Sequence, residues 1–476
     1  MKVAIIGMGV AGISVLSAMA DQQMTKEWDI LLFDGQTFGT GLPYQADSEL
    51  LLLNQTARTM SLDKDDPADF TKWAETNKAV VDAEHKHLPR TWYGEYLKEK
   101  LDAAVSYCQP TIIKEDVQAI DRLGDGRFRV QLKSGNYVVD CVHLCTGHLP
   151  YQDPYHLKRH PHFIYHPYPV QEKLAHIPQG KRVGVIGTSL TAIDMMRVLR
   201  ASDPTVKLSF FSQSGHFSSV RSSEPLYEMT YLTAERLADE KARGDGFIRL
   251  DMLIDWFKKE CAEKEIDWQS VFEDFGQGSR EQLAQQLENS GDLGKVQAIL
   301  HQLDDMLPEF WLALRDTDKQ RFLNEYSVQF ETIRSPMPRQ SVEDLVQLWQ
   351  SGEIAVYGGM REVFVDDEHF EVVLANGKWV AVDYLINASG QEKRVSLATD
   401  QSPLITQMLS NRLIQSEEFG GVQVEWPSLR AISQRYGIIT NLYIHGQLIH
   451  GIQHGNNTAG MLMRHAHQVV EGMIQP

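Results

Sequence analysis

Two stretches of the chain place glycine and other small residues where a strand should run into a helix: Val3-Ala4-Ile5-Ile6-Gly7-Met8-Gly9-Val10-Ala11-Gly12 and Val183-Gly184-Val185-Ile186-Gly187-Thr188-Ser189-Leu190-Thr191-Ala192. The chemistry such a turn offers is anion binding. Backbone N–H groups at the helix N-terminus point at a pyrophosphate, and positions without side chains let it approach. Candidate contacts are Gly7, Gly9, Val10, Ala11 and Gly12 in the first copy and Gly187 and Ser189 in the second, where Ser189 and Ala192 stand in place of two glycines. The second copy is therefore either a nicotinamide site or a dinucleotide fold kept for packing. Each copy is followed by a ribbon of the same dimensions, Phe128 to Gly135 to Asp140 to Gly147 and Phe370 to Gly377 to Asp383 to Gly390, with seven residues from Phe to Gly and seven from Asp to Gly both times. Each ribbon ends on a hydroxyl-glycine pair, Thr146-Gly147 or Ser389-Gly390. A single glycine pattern is weak evidence; the repeated ensemble predicts two dinucleotide-binding halves.

The elements that must position these residues follow from periodicity. Strand 3–6, a helix from about 11 to 20 and a strand over Ile30 to Phe33 lead to Asp34-Gly35. An acidic residue there is placed to accept ribose hydroxyls, although Asp-Gly is also a common turn pair. Between about 225 and 340 the period becomes helical. Leu250, Leu253, Ile254, Phe257 and Cys261 form one apolar stripe, Val296, Ile299, Leu300, Leu303, Met306 and Leu307 another, and Pro336 and Pro338 mark the end. The expected fold is α/β, with two Rossmann-like dinucleotide-binding domains and a helical insertion. Residues 1–175 form the first part of one domain, 176–390 the second domain with the insert, and 391–476 return to complete the first.

Composition narrows the partners. The net charge of −18 on 476 residues lacks the basic footprint of a nucleic-acid binder. Lys2 and an apolar strand follow Met1 directly, and no apolar run reaches the roughly 18 residues of a membrane span, so a cytoplasmic location is expected, with a small-molecule substrate and no membrane partner. A homo-oligomer stays open. The four cysteines show no C-x-x-C spacing, and the histidines, among them His160, His162, His166, His445, His450, His454, His465 and His467, show no ligand spacing. No metal is expected.

The chain resembles the bacterial FAD/NAD(P)-binding proteins, two-dinucleotide flavoproteins of the glutathione-reductase-like group related to flavin-containing monooxygenases. The matching stretches are Gly7 to Gly12, Gly39-Thr40-Gly41-Leu42-Pro43-Tyr44 leading to Leu52-Leu53-Asn54, Met60-Ser61-Leu62, Pro89-Arg90, Gly187 to Asp194 and, in the insert, Phe310-Trp311 with Arg321-Phe322-Leu323. The resemblance implies FAD on the first cradle, read by Asp34-Gly35 and by Gly41, Leu53 and Asn54 beside the flavin; the bland alternative for 39–54 is a surface loop. It further implies that Val117, at the end of a strand from Thr111, reads adenine, that Thr146-Gly147 passes near the FAD, and that Gly446 contacts the ribityl chain. Asn457, Thr458 and Ala459 would start a final helix near the flavin. His454 and Asn457 are the catalytic candidates, and a structural role for His454 competes. NADPH or NADH would dock on the second domain through Gly187, Ser189, Ser212, Ser389 and Gly390. The family's arginine-rich turn is replaced by Ser212-Gln213-Ser214-Gly215, leaving Arg221 or Lys207 to meet a 2′-phosphate. The tail Gly451 to Gly460 also departs from the family pattern. The resulting expectation is an FAD-dependent oxidoreductase, reduced by NAD(P)H and oxygenating a small molecule. The alternatives are a dehydrogenase, oxidase or reductase of another kind, and a non-catalytic nucleotide-binding protein.

Overall fold

Apolar runs without polar alternation belong in the middle of a parallel sheet, where both faces are covered. Lys2–Ile6, Asp29–Phe33 and Cys141–Leu144 are such runs, and beyond their first residues they are buried. This computed structural model describes every residue except 23–25, 223–224, 226, 367–368, 398–401, 455–456 and 475–476; Gly455 and Asn456 of the tail motif thus lie outside the described residues. It contains two compact units: Met1–Glu49, Gln55–Pro150 and Gln391–Pro476 make one, Leu50–Asn54 and Tyr151–Gly390 the other.

The first unit holds a 7-stranded sheet in the order Val424–Glu425, Arg430–Ser433, Gly437–Ile444, Cys141–Leu144, Lys2–Ile6, Asp29–Phe33, Thr111–Ile113. From Gly437–Ile444 onward the strands are parallel. The second unit holds a 5-stranded parallel sheet in the order Ile354–Tyr357, Lys207–Phe211, Arg182–Ile186, Tyr384–Asn387, Phe163–Ile164. Both sheets place the cradle strand next to the strand that leaves the ribbon, and each ribbon is a 3-stranded antiparallel sheet of its own. The α/β fold with two dinucleotide-type sheets is the one expected.

The repeated aspartate explains the repeated spacing. Asp140 accepts the Lys2 N–H at 2.7 Å through Oδ2 while its own N–H donates to the Lys2 carbonyl at 2.8 Å. Asp383 does the same with Arg182, at 2.8 Å for both bonds, and adds an ion pair to the guanidinium. This two-point clamp sets the register of the closing strand against the cradle strand, so seven residues later Gly147 and Gly390 follow the strand ends beside each cradle turn.

Three features differ from the sequence expectation. The boundary falls at 150/151 rather than 175/176, because Phe163–Ile164 pairs with Leu385 and Ile386 and becomes the edge of the second sheet. The insert does not end at Pro336 and Pro338. A further helix, Arg339–Gln350, packs Val342, Leu345 and Val346 into the second unit's core before the sheet resumes at Ile354. The stripes are also interrupted. Leu293–Gln302 and Leu307–Ala313 are separate helices, and in Leu250–Glu263 the fully buried face includes Trp256 and Glu260. Glu260 is buried because its carboxylate accepts the N–H groups of Thr230, Tyr231 and Leu232 and pairs with Lys264. Among the described residues no helix is long and apolar enough to cross a membrane.

Replacing Asp140 by Ala removes the acceptor of the Lys2 N–H and is expected to lower the stability of the first unit by about 1–2 kcal/mol. Asp140→Asn retains an acceptor oxygen and should recover most of that loss. Urea unfolding of the three proteins tests this, and a parental midpoint in the Ala variant would refute the clamp.

Candidate functional site

The first cradle is built by close approach. Gly7 adopts φ +93°, donates its N–H to the Phe33 carbonyl at 2.8 Å, and leaves no room for a Cβ, which would stand 2.4 Å from the Cys145 carbonyl oxygen. Gly12 returns one helical turn later against the Gly7 carbonyl, where a Cβ would meet oxygen at 2.0 Å. Helix Val10–Ala20 starts at Gly9 with no side-chain cap and no acidic residue in its first turn, so its N-terminal donors and positive dipole end remain available to an anion. Gly9 faces Gly41, and a Cβ on either would stand 3.1–3.2 Å from the other's Cα. Gly446, at φ +73°, ends strand Gly437–Ile444 against the first turn of the same helix, its Cβ position 3.7 Å from that of Ala11.

Asp34 is held by its own surroundings. Oδ2 accepts from Met8 N–H at 2.8 Å and Oδ1 from Gln36 and Thr37 N–H at 3.1 and 3.0 Å. A carboxylate has about four acceptor sites, which leaves capacity for one ribose hydroxyl. Gly35 is dictated by Asp116, whose Oδ1 would lie 2.4 Å from a Cβ there. The side-chain oxygen and nitrogen of Asn457 are both buried without a hydrogen-bond partner among the described residues. A cradle closed to side chains, an uncapped helix end and an orphaned amide at the start of the final helix fit a bound FAD.

The second cradle repeats the first. Gly187 has φ +124°, donates to the Phe211 carbonyl at 2.7 Å, and its Cβ would stand 2.3 Å from the Ala388 carbonyl oxygen. Helix Leu190–Ser202 likewise starts without a side-chain cap. A cleft of about 740 Å³ opens above this turn, walled by Thr188 and Ser189, by Ser214 and His216 after the second strand, and by Gln329 and Thr332 of the insert. The insert is thus a wall of the cleft above the second cradle turn. Buried amides attach it: Gln297 donates to Ser219 Oγ and the Val220 carbonyl at 3.1 and 2.9 Å and accepts from Ser222 N–H at 3.0 Å, and Gln286 accepts from Val220 N–H at 2.7 Å.

The other expected contacts have settings of their own. Leu53 and Asn54 group with the second unit, where the Asn54 carbonyl accepts from the Arg221 guanidinium at 3.1 Å. Arg221 does not line the cleft, and its N–H donates to the Met337 carbonyl at 2.8 Å. Lys207 starts its strand, at the end away from the cradle. Val117 is buried but follows a strand that stops at Ile113. Thr458 caps the final helix, its Oγ1 accepting from Met461 N–H at 3.2 Å, and Ala459 is the first helical residue. His454 closes the short helix His450–Gln453 at φ +51°. Thr146 is exposed, and Gly147 and Gly390 have positive φ with open space at their Cβ positions. Ser212 Oγ contacts Thr188 Oγ1 at 3.2 Å, and Ser389 lines the cleft while its Oγ donates to Asn387 Oδ1 at 2.7 Å. Asn387 was not legible as a site residue. It is buried and its Nδ2 binds the carbonyls of Gln152 and Tyr165 at 2.8 and 3.2 Å, a role set by chain segments 222 or more residues away in sequence.

Beneath the first cradle lies a buried histidine pair. His143 Nδ1 and His445 Nε2 are 3.1 Å apart, which requires one to donate and the other to accept. Burial pushes the His143 pKa down to about 3, and burial together with His143 holds His445 well below its ordinary value.

Residues 4–149 match the family model described as FAD-NAD(P)-binding, so the first unit opens with such a domain. The whole chain has the fold of three solved proteins. Reduced ornithine hydroxylase from Pseudomonas aeruginosa is 12% identical, with 99% of this chain and 98% of that one covered and a TM-score of 0.61. L-lysine 6-monooxygenase from Pseudomonas syringae is 14% identical, with 100% and 99% covered and a TM-score of 0.62. Bacillithiol disulfide reductase from Staphylococcus aureus is 13% identical, with 100% and 99% covered and a TM-score of 0.52. At these identities the likeness establishes the α/β fold with two Rossmann-like domains. No curated protein sequence matches the chain.

The histidine pair makes the first unit acid-sensitive. Both groups bind protons near pH 6.5 when unfolded and only at lower pH when folded, so their contribution to stability is complete above pH 6.5 and is lost as pH falls below it. Each costs roughly 1.4 kcal/mol per pH unit over that window. Unfolding free energies from urea titrations should be flat from pH 8 to 6.5 and fall with this slope from pH 6.5 to 5, less steeply in His445→Gln; an unchanged slope in that variant would contradict it.

Proposed function

We propose that the protein is an FAD-dependent oxidoreductase of the flavin-monooxygenase kind, drawing electrons from NAD(P)H and oxygenating a small-molecule substrate. The observation that carries this reading is the repeated cradle. Two uncapped helix N-termini, each behind a turn glycine pressed on a strand carbonyl, support two dinucleotide sites in one chain. FAD, when bound, accepts a hydride and passes the electron pair to oxygen.

The chain's own residues supply position and charge. N–H groups at the start of Val10–Ala20 would hold the FAD pyrophosphate, with Gly9 and Gly41 leaving space for it. Asp34, fixed by three backbone donors, would present its remaining acceptor site to a ribose hydroxyl. The start of the final helix would place a positive dipole end and the Asn457 amide toward the flavin. In the second unit the Gly187–Ser189 turn would hold the nicotinamide dinucleotide, and the insert would wall the cleft.

The disulfide-reductase likeness is the weaker guide to activity. Thiol exchange needs an accessible thiolate, whereas burial pushes the thiols of Cys141 and Cys145 up, Cys108 to about 11 and Cys261 to about 12. The two named monooxygenases act on ornithine and lysine, which makes small amines the first substrates to try. A cytoplasmic site of action belongs to the same reading and is supported by four free cysteines.

The test is the visible spectrum of the purified protein under nitrogen, before and after NADH or NADPH, followed by air with and without a small amine and mass analysis of the product. Bleaching by a donor and a product heavier by one oxygen atom are expected. A bound flavin that neither donor bleaches would overturn the reading.

A further inference from the structure

A dinucleotide fold distinguishes NAD from NADP by the side chains just beyond its second strand. In the second unit that strand is Lys207–Phe211, and the residues after it are Ser212, Gln213, Ser214, Gly215 and His216. Three of these side chains are engaged, Ser214 Oγ by accepting from His216 N–H at 3.2 Å, which leaves its hydroxyl proton to donate. Ser212 Oγ accepts from Gly215 N–H at 2.8 Å, and Gln213 donates to the Met360 carbonyl at 3.0 Å. Ser214 and His216 face the cleft, and Glu325 and Glu331 line it from the insert.

A 2′-phosphate needs charged donors, which bidentate arginine supplies best. Among the described residues, neither lysine nor arginine lines the cleft. The remaining residues of the second unit are Ser223, Glu224, Leu226, Asp367 and Glu368, none of them cationic. Arg221 donates to the Asn54 carbonyl, and Lys207 sits at the far end of its strand. Among the described residues, His216 is the one imidazole that lines the cleft. A phosphate dianion here would meet two carboxylates and no guanidinium. A ribose diol needs only hydroxyl, amide or carboxylate partners, and the cleft supplies all three.

From this we infer that the second unit selects NADH over NADPH, with the Ser214 turn and the carboxylates of Glu325 and Glu331 as the determinants. The inference rests on the proposal that this unit holds a nicotinamide dinucleotide.

Calorimetric titration of the full-length protein as purified, with NAD⁺ and separately with NADP⁺, tests it without turnover. NAD⁺ should bind at least about tenfold more tightly, the scale of one missing charge-assisted hydrogen bond. Ser214→Arg should tighten NADP⁺ by about tenfold, and Glu331→Gln by a few-fold, so that each lowers the ratio of NAD⁺ to NADP⁺ affinity; circular dichroism confirms that each variant is folded. NADP⁺ binding as tight as NAD⁺, or tighter, in the parent protein would overturn the preference while leaving the nicotinamide site standing. Failure of both nucleotides to bind the parent protein would overturn the nicotinamide reading, and this inference with it.

Discussion

In each half, three strands meet at one residue that has no room for a side chain. Gly7 receives the end of its own strand, bonds through its N–H to the neighbouring strand's last carbonyl, and lies against the carbonyl of Cys145 on the other side. Gly187 stands in the same relation to Phe211 and Ala388. A Cβ 2.3–2.4 Å from a carbonyl oxygen is a steric exclusion that side-chain repacking does not relieve, because its partner is backbone. That contact imposes the positive φ, the immediate turn into a helix and the uncapped helix N-terminus that makes an anion site. The Asp140 and Asp383 clamps matter because they bring the closing strand to that contact in register.

The surroundings of the contact separate the halves. In the first unit Gly41 lies over Gly9 and Gly446 meets the cradle helix, so loop and tail are both set by small-residue packing. In the second unit the insert stands beside the cradle turn, attached by the buried amides of Gln286 and Gln297. Backbone groups of an irregular segment must be satisfied when buried; side-chain amides satisfy Val220 and Ser222, while Ser219 and Arg221 bond to the backbone of Thr332 and Met337. The cleft that the insert walls carries the carboxylates of Glu325 and Glu331 and several hydroxyls beside the apolar Phe217 and Val328.

Motif spacing made the two cradles, the ribbons and the sheet strands legible, because each is a local pattern: a period of two or an unbroken apolar run for strands, glycines at fixed offsets for the turn. The positions of Leu53, Asn54 and Val117 were carried by resemblance alone, and the structure places them in other settings. The helix after Pro338 was missed because proline at a helix start reads the same as proline at a helix end. Asn387 and Glu260 were invisible for a different reason. Each owes its burial to backbone groups supplied by distant segments or by a turn that no periodicity marks.

By itself the sequence determined that there are two strand-turn-helix cradles of the Rossmann-like kind, where they start, and which glycines and aspartates build them, since steric exclusion and strand register act over a few residues and leave a readable spacing. Only the tertiary structure decided that the insert walls the second cradle, that Arg221 and Lys207 lie away from the cleft while Glu325 and Glu331 line it, and that 151–175 belongs with the second sheet. Those outcomes depend on which segments meet across hundreds of residues, and a contact of that kind leaves no period in the chain.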